Sequence, residues 1–442
     1  MKRVYEAAAY GADPVRDCFW TTTAPVPSCD AVSGEITVDV AIVGAGFTGI
    51  SAAYHLASAG VKVALLDANY PTFGATGRNG GFCCLGGGKI TNKQLDARFG
   101  QDERRLYRST EVAAVENAKS LIHTLGIDVD AHSTGETQLA HNPQRAASFV
   151  TDQIHAMDDY GVNAMLHSTE DLAELGMKGA FHGGFTIPIG FALNPRKFAL
   201  GLLSAAMDKG AMVFAQSPVS RIDPMPSGYH LCTDHGRVVA KRFIIATNGY
   251  SSDDMPDWMR ARYMPVQSSV IVTDPISQER QHEQGWFSDQ MAYDTRFLLH
   301  YFRKLPDNRF LFGMRGGLKY TRRSERAIQK LIRHDFDAMF PSWRDVPTAH
   351  YWSGLVALNR TLAPYVGPID GYEGGFAGFG YHGNGVAMAS YVGGILADLA
   401  QGKTTTYPYP AAFRDAPKRF PLGHKRRWLL APIYRLMAAY EA

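Results

Sequence analysis

The sequence predicts an α/β protein with two domains, one built on a βαβ unit and the other an α+β domain on a mostly antiparallel sheet. Three observations predict it. Val38–Val43 is a continuous apolar run, Gly46–Ala59 reads as a helix, and Val61–Asp67 is a second apolar run, in βαβ order. Residues 263–316 instead read mostly as strands, at Val266–Val272, Phe297–Phe302 and Arg309–Gly313. Further on, a glycine-dense loop, Gly374–Gly385, opens a second apolar helix at Val386–Ala400.

The remaining elements follow in order. Residues 1–35 form an irregular arm, because Pro14, Pro25 and Pro27 punctuate a stretch with no clean period. Leu106, Val112, Val115, Ala118, Leu121 and Ile122 have helical spacing within 101–125, and 144–160 makes a second helix that ends at Gly161. Pro195–Gly210 reads as a helix closed by its glycine, followed by a short strand, Ala211–Ala215, and a β-rich run, Val219–Thr247. Ser324–Phe340 is a helix. The tail from His424-Lys425-Arg426-Arg427-Trp428 to Tyr440 is basic and then amphipathic; a final helix with solvated charges is preferred over one that touches a membrane surface. The first domain is expected to be discontinuous, taking residues 36–95, 195–260 and 355–442. The second takes 96–194 and 261–354.

Composition excludes several classes. A chain of 442 residues with 45% hydrophobic and 20% charged residues has the mix of an ordinary globular protein of more than one structural unit. The net charge of +3 is too small to point to nucleic acid. The 15 histidines are scattered, with no HxxxH or CxxC spacing, so no metal is expected. Five cysteines are too sparse for a disulfide framework and fit a reducing compartment. Met1-Lys2-Arg3 runs into Glu6, Asp13 and Asp17 without an apolar stretch, so no signal peptide is expected and the cytoplasm is the expected location. The most apolar segment, Val38–Leu66, is broken by His55 and Lys62 and is not a membrane span.

The first strand runs directly into Gly44-Ala45-Gly46-Phe47-Thr48-Gly49. A tight turn at Gly44, close approach of a pyrophosphate at Gly46 and close helix packing at Gly49 each require glycine. Amides of the following helix then face the phosphates. Asp67 ends the second strand 23 residues after Gly44, where a carboxylate accepts hydrogen bonds from a ribose 2′-hydroxyl. These features call for a dinucleotide and do not separate FAD from NAD.

Further motifs make that separation by resemblance. Gly74-Ala75-Thr76-Gly77-Arg78-Asn79-Gly80-Gly81 resembles the GASGRNGG segment of the D-amino acid oxidase family. Ile244-Ile245-Ala246-Thr247-Asn248-Gly249 resembles the strand end of flavoproteins with two dinucleotide-type segments, and Val219 matches the position whose backbone reads adenine there. Gly378-Phe379-Gly380-Tyr381-His382-Gly383-Asn384-Gly385-Val386 resembles the family's C-terminal flavin loop. Tyr293–Arg303 with Asn308–Gly313 is similar to the substrate-domain hairpin of the gamma-glutamylputrescine oxidase branch, and Trp352-Ser353-Gly354-Leu355 with Gly367-Pro368 to the strand leading back. The resemblance implies a Rossmann-like FAD-binding domain with a separate substrate domain. The cofactor residues it implies, with the glycine turn and Asp67-Ala68, are Ala75, Thr76, Arg78, Asn79, Gly80, Gly81, Val219, Ala246, Thr247, Gly249, Gly380, Gly383, Asn384, Gly385 and Val386. A helix N-terminus after Gly385 suits the negative charge that reduced flavin gains at its pyrimidine edge. Relatives that tether flavin use a cysteine in the stretch matching 357–364; none occurs here, so FAD is expected to be non-covalent. The turn Asn359-Arg360-Thr361 departs from the family's acidic or small residues.

The resemblance further implies hydride transfer from the carbon next to an amine nitrogen to the flavin, hydrolysis of the imine, and reoxidation by oxygen to give hydrogen peroxide. A quinone or protein acceptor stays open. The candidate substrate-facing residues are Arg315, Tyr301, His300, Tyr250 and His382. Arg315 is either a two-pronged clamp for a carboxylate or a solvated hairpin residue. His300 and Tyr301 alternate faces on one strand, so one of them at most faces the flavin. His382 either donates toward the ring or stabilises its own turn. Cys83-Cys84 reads as a pair of buried thiols, because adjacent cysteines form strained disulfides. Two rival functions stand beside this one: a 2-hydroxy acid or glycerophosphate-type flavin dehydrogenase that uses a quinone, and a flavoprotein subunit or RNA-modifying factor.

Overall fold

The computed structural model describes residues 1–441, leaving Ala442 of the expected first domain outside the described residues. The strand Gly34–Val43 organises the first half of the fold. Its first half is largely exposed and Val40–Val43 is buried, because only the second half has strands on both sides. It pairs in parallel with Gly236–Ile245 along its whole length and with Val63–Leu66 from Val40 onward. The sheet continues to Met212–Phe214 at one edge and through Tyr372–Phe379 to Tyr365–Ile369 at the other. A hairpin, Arg221–Met225 and Gly228–Cys232, adds antiparallel strands to Gly236–Ile245. Parallel strands need cover on both faces. One face is packed by the helices Phe47–Ser58, Pro195–Asp208, Gln101–Thr124 and Val386–Ala400, through Ile50, Leu56, Leu202, Ala118 and Ile395. The other is packed by Trp258, Met259 and Tyr263 against Phe243 and Phe379.

A second eight-stranded sheet, counted among the described residues, runs in the order Thr348–Leu358, Met264–Thr273, Phe310–Arg315, His300–Lys304, Met291–Asp294, Glu136–Leu139, Gly184–Ile187 and Met165–His167. All neighbours are antiparallel except Met291–Asp294 with Glu136–Leu139. Helix Arg322–Met339 lays Ile332 and Phe336 against Phe302, Phe310 and Phe312 on one face of this sheet. Side chains alternate along a strand, so Tyr301 and Arg315 emerge on the opposite face, toward the first sheet.

The structure departs from the sequence reading in two places that bear on function. Residues 297–299 are not strand: the Asp294 carboxylate accepts from the amides of Arg296 and His300 and holds a bend there. Gly374–Phe379 is not loop either, since Tyr372–Phe379 is a strand paired with Phe243–Ile245. Its glycines serve packing: a Cβ on Gly375 would come within 2.6 Å of the Phe243 ring, and one on Gly378 within 2.9 Å of Val392 and Leu396. The arm contains three short 3-10 turns, and the tail is a 3-10 turn at Gly423–Leu429 followed by the helix Leu430–Glu441. Among the described residues, no helix is long and apolar enough to cross a membrane, and no group of three His, Cys, Asp or Glu residues could hold a metal.

Candidate active site

A long cleft of about 1920 Å³, counting the space at its open mouth, runs from the glycine turn to the inner face of the second sheet. At its first end the backbone leaves no room for side chains. Gly44 has φ +105°, and a Cβ there would lie 2.9 Å from the Ala246 carbonyl oxygen. On Gly46 it would lie 2.9 Å from Thr76 Oγ1, which accepts from the Phe47 amide at 2.9 Å. On Gly49 it would lie 1.9 Å from the Gly44 carbonyl oxygen, so Gly49 packs the helix on the turn and does not itself line the cleft. The Asp67 carboxylate accepts from the amides of Ala45 and Asn69, each at 2.9 Å. Burial outweighs those bonds and pushes its carboxyl up to about 6.

Midway along the cleft, Arg78 is 3% exposed. Its Nε donates to the Phe73 carbonyl and its Nη1 to that of Ser353, while Nη2 has no partner. A buried donor left over in a cleft wall is a donor kept for a ligand. Thr48 Oγ1 and the Tyr381 hydroxyl bond at 2.6 Å. Helix Val386–Ala400 starts without a side-chain cap, so the amides of its first turn, beside Gly383, Asn384 and Gly385, are free to meet an anion or carbonyl. Ala68, Ala75, Asn79, Gly80, Val219, Ala246 and Thr247 also line the cleft. Gly81, Gly249 and Gly380 do not; they let the backbone approach Leu193, Leu355 and Asn359. A buried carboxylate, a Cβ-free cradle, a guanidinium with one nitrogen left over and an uncapped helix terminus, all in one cleft, fit the donors and acceptors that FAD requires.

At the far end stand residues of the second sheet. Tyr301 faces the cleft, its hydroxyl 3.0 Å from Ser268 Oγ and its ring against Gly80. Arg315 also faces it, with its guanidinium lying over Gly383. Tyr250 lines the cleft and accepts from the Leu355 amide at 3.2 Å. Two candidates lie elsewhere. His300 points to the opposite face, where Nδ1 is 2.7 Å from Asp294 and Nε2 3.2 Å from Asp335, and its ring stacks on Phe312. His382 turns away into the protein, with Nε2 3.1 Å from Asn359 Oδ1 and its amide donating to Ala357. Burial, helped by the charges of Lys89 and Arg315, pushes its imidazole down to about 3, so it stays neutral and stabilises the Asn359-Arg360-Thr361 turn.

Burial alone would lower the imidazole of His300, but its hydrogen bonds to Asp294 and Asp335 outweigh that and raise it to about 9. A folded value above the ordinary 6.5 means the stabilisation is complete below pH 6.5 and is lost as pH rises through 9. The difference amounts to about 3 kcal/mol. Denaturant melts between about pH 6 and 10 are expected to show this loss, and His300→Gln is expected to flatten the profile.

Sequence reasoning missed Lys89, Tyr293, Ser268 and the N-terminal Met1 and Arg3, all in the cleft wall. Lys89 carried a signal: it is the lone charge in the stretch Asn79–Asn92. Cys83 and Cys84 are free thiols, both buried, and Cys84 reaches the cleft.

Comparison with known proteins agrees with this geometry. The chain is 29% identical over 419 residues to gamma-glutamylputrescine oxidoreductase of Escherichia coli (strain K12), covering 93% of each chain. It is 21% identical over 383 residues to glycine oxidase of Bacillus subtilis (strain 168), covering 85% of this chain and 96% of that one. The crystal structure of glycine oxidase from Geobacillus kaustophilus superposes with a TM-score of 0.69 at 20% identity, covering 86% of this chain and 98% of that one. That of iminodiacetate oxidase from Chelativorans sp. BNC1 superposes with a TM-score of 0.67 at 19% identity, covering 83% and 96%. These two share the fold. Residues 39–399 match the DAO family, described as FAD dependent oxidoreductase, and the chain belongs to that family.

Proposed function

We propose that this chain oxidises a carboxylated amine at the C–H next to nitrogen, using FAD held without a covalent bond. The first domain, residues 36–95, 195–260 and 355–442, would hold the cofactor; the second, 96–194 and 261–354, would supply the substrate wall. Asp67 would take a ribose hydroxyl, the turn from Gly44 to Thr48 with Thr76 the pyrophosphate, and Arg78 the region near the ring. When bound, the flavin supplies the two-electron acceptor for the departing hydride. The free amides at Gly385 and Val386 would meet negative charge at the ring's edge. Arg315 would clamp the substrate carboxylate, while Tyr301 and Tyr250 orient the amine and exclude water. The lack of cysteine at 357–364 supports non-covalent binding. Oxygen is the proposed acceptor and the cytoplasm the proposed location.

The observation that carries this reading is the meeting of two sheets in one cleft: Tyr301 and Arg315 of the second stand against Gly80 and Gly383 of the first. Anaerobic mixing with amines and with 2-hydroxy acids tests it. Bleaching of the flavin by carboxylated amines alone is the expected result. Bleaching by hydroxy acids alone would favour a dehydrogenase of alcohols, and none by either would sink the assignment.

A further inference from the structure

The wall that faces the substrate space holds two cations where the proposed reaction needs one. Arg315 lies over Gly383, and a Cβ on that glycine would come within 2.2 Å of its Nη2. Lys89 lines the same cleft, and the segment that leads to it packs on the same loop. Its segment is wedged: Gly86 packs on the Asn384 side chain, Gly87 on Met388, and Gly88 on the Tyr107 hydroxyl. Asn384 Nδ2 donates to the Leu85 carbonyl at 3.1 Å, and the Lys89 amide donates to Leu362. With its backbone so fixed, Lys89 projects into the cleft: much of its surface is open to that space and the rest is enclosed by protein.

Neither cation is paired among the described residues. Among the described residues, no ion pair or side-chain hydrogen bond engages Lys89 Nζ or the Arg315 guanidinium. The acid nearest to serving Lys89 is Glu136, set behind Cys84 and Tyr293. Burial raises its carboxyl to about 7, one of its oxygens has no hydrogen-bond partner, and among the described residues it makes no ion pair with Lys89. The enclosing walls, and next the charge of Arg315, push the Lys89 ammonium down to about 8, with Glu136 opposing. Two like charges in one cleft repel each other, and enclosing them with a ligand strips their water. One carboxylate would leave a charge uncompensated; two would leave none.

We propose that the substrate is an amine bearing two acidic groups, one held by Arg315 and the other by Lys89, with the nitrogen between them beside Tyr301. This rests on the proposed amine oxidation and names its substrate class. Lys89 is then the residue that separates amino diacids from simple amino acids.

Thiodiacetate places sulfur where the amine nitrogen would be and keeps both carboxylates; methylthioacetate keeps one. Calorimetric titration of each into the purified flavoprotein reads binding without turnover. The wild type is expected to bind thiodiacetate about tenfold or more tighter, the worth of one charge-assisted hydrogen bond. Lys89→Met is expected to abolish that preference while changing methylthioacetate by less than about twofold, and Lys89→Arg to retain it. Because the side chain ends in the cleft, both variants are expected to fold. Equal binding of the two probes, no binding of thiodiacetate, or a Lys89→Met variant that weakens both alike would overturn the proposal; the last would mean that both cations grip one carboxylate. These outcomes leave amine oxidation standing if carboxylated amines still bleach the flavin. If no amine bleaches it, the functional reading fails independently of the calorimetry.

Discussion

Gly49→Ala is expected to yield a folded chain whose affinity for FAD has fallen by about 100-fold or more. The added methyl would sit 1.9 Å from the Gly44 carbonyl oxygen, far inside van der Waals contact, and a backbone atom cannot rotate aside. The helix Phe47–Ser58 must therefore move off the turn. That movement carries the amides of Phe47 and Thr48 away from the position where a pyrophosphate would meet them, and two charge-assisted bonds are lost together. Gly60→Ala is the control. Gly60 also has a positive φ, +76°, but a Cβ there has nothing within 4 Å. It is expected to cost about 1 kcal/mol of stability through backbone strain and to leave the bound flavin intact. Flavin fluorescence during titration and circular dichroism melts read the two effects separately. Equal flavin affinity in both variants would contradict the packing account of the motif.

Arg315→Met is expected to lower kcat/KM for a carboxylated amine by about 100-fold, roughly 3 kcal/mol, while sparing amines without a carboxylate. Methionine fills the space of the side chain and cannot donate. Among the described residues the guanidinium has no side-chain hydrogen bond and no ion pair, so melting temperature is expected to hold. Parallel losses for charged and uncharged amines would place Arg315 in the framework of the cleft, with no role in holding the carboxylate. Anaerobic reduction rates across substrate concentration decide between these, since a binding role shifts the half-saturation point more than the limiting rate.

The glycine-turn end of the cleft was legible because its causes are local. Gly49 is constrained by Gly44 within one turn of chain, Gly44 by the end of the neighbouring strand at Ala246, and Asp67 ends the adjoining strand at a spacing set by the βαβ unit; Gly46, which meets Thr76, needs the later turn as well. The far end of the cleft was legible only as alternatives. Strand alternation said that His300 and Tyr301 face opposite ways, but which one meets the cleft depends on helix Arg322–Met339 covering the His300 side with Asp335 and Phe336. His382 was unreadable for the same reason: its partner Asn359 is 23 residues away and reaches it across a strand connection. Glycine density misled at Gly374–Phe379, where missing side chains admit Phe243, Val392 and Leu396. Lys89 was passed over because its direction is set by three glycines wedged against Asn384, Met388 and Tyr107, contacts that the local sequence does not announce.

The whole account depends on the glycine turn, Asp67, Arg78 and the N-terminus of Val386–Ala400 converging on one flavin. Titration of FAD into the flavin-stripped, folded chain tests this most directly. Saturation at one FAD per chain is predicted, with the flavin recovered in the soluble fraction after acid denaturation. A folded chain that takes up no FAD would contradict it.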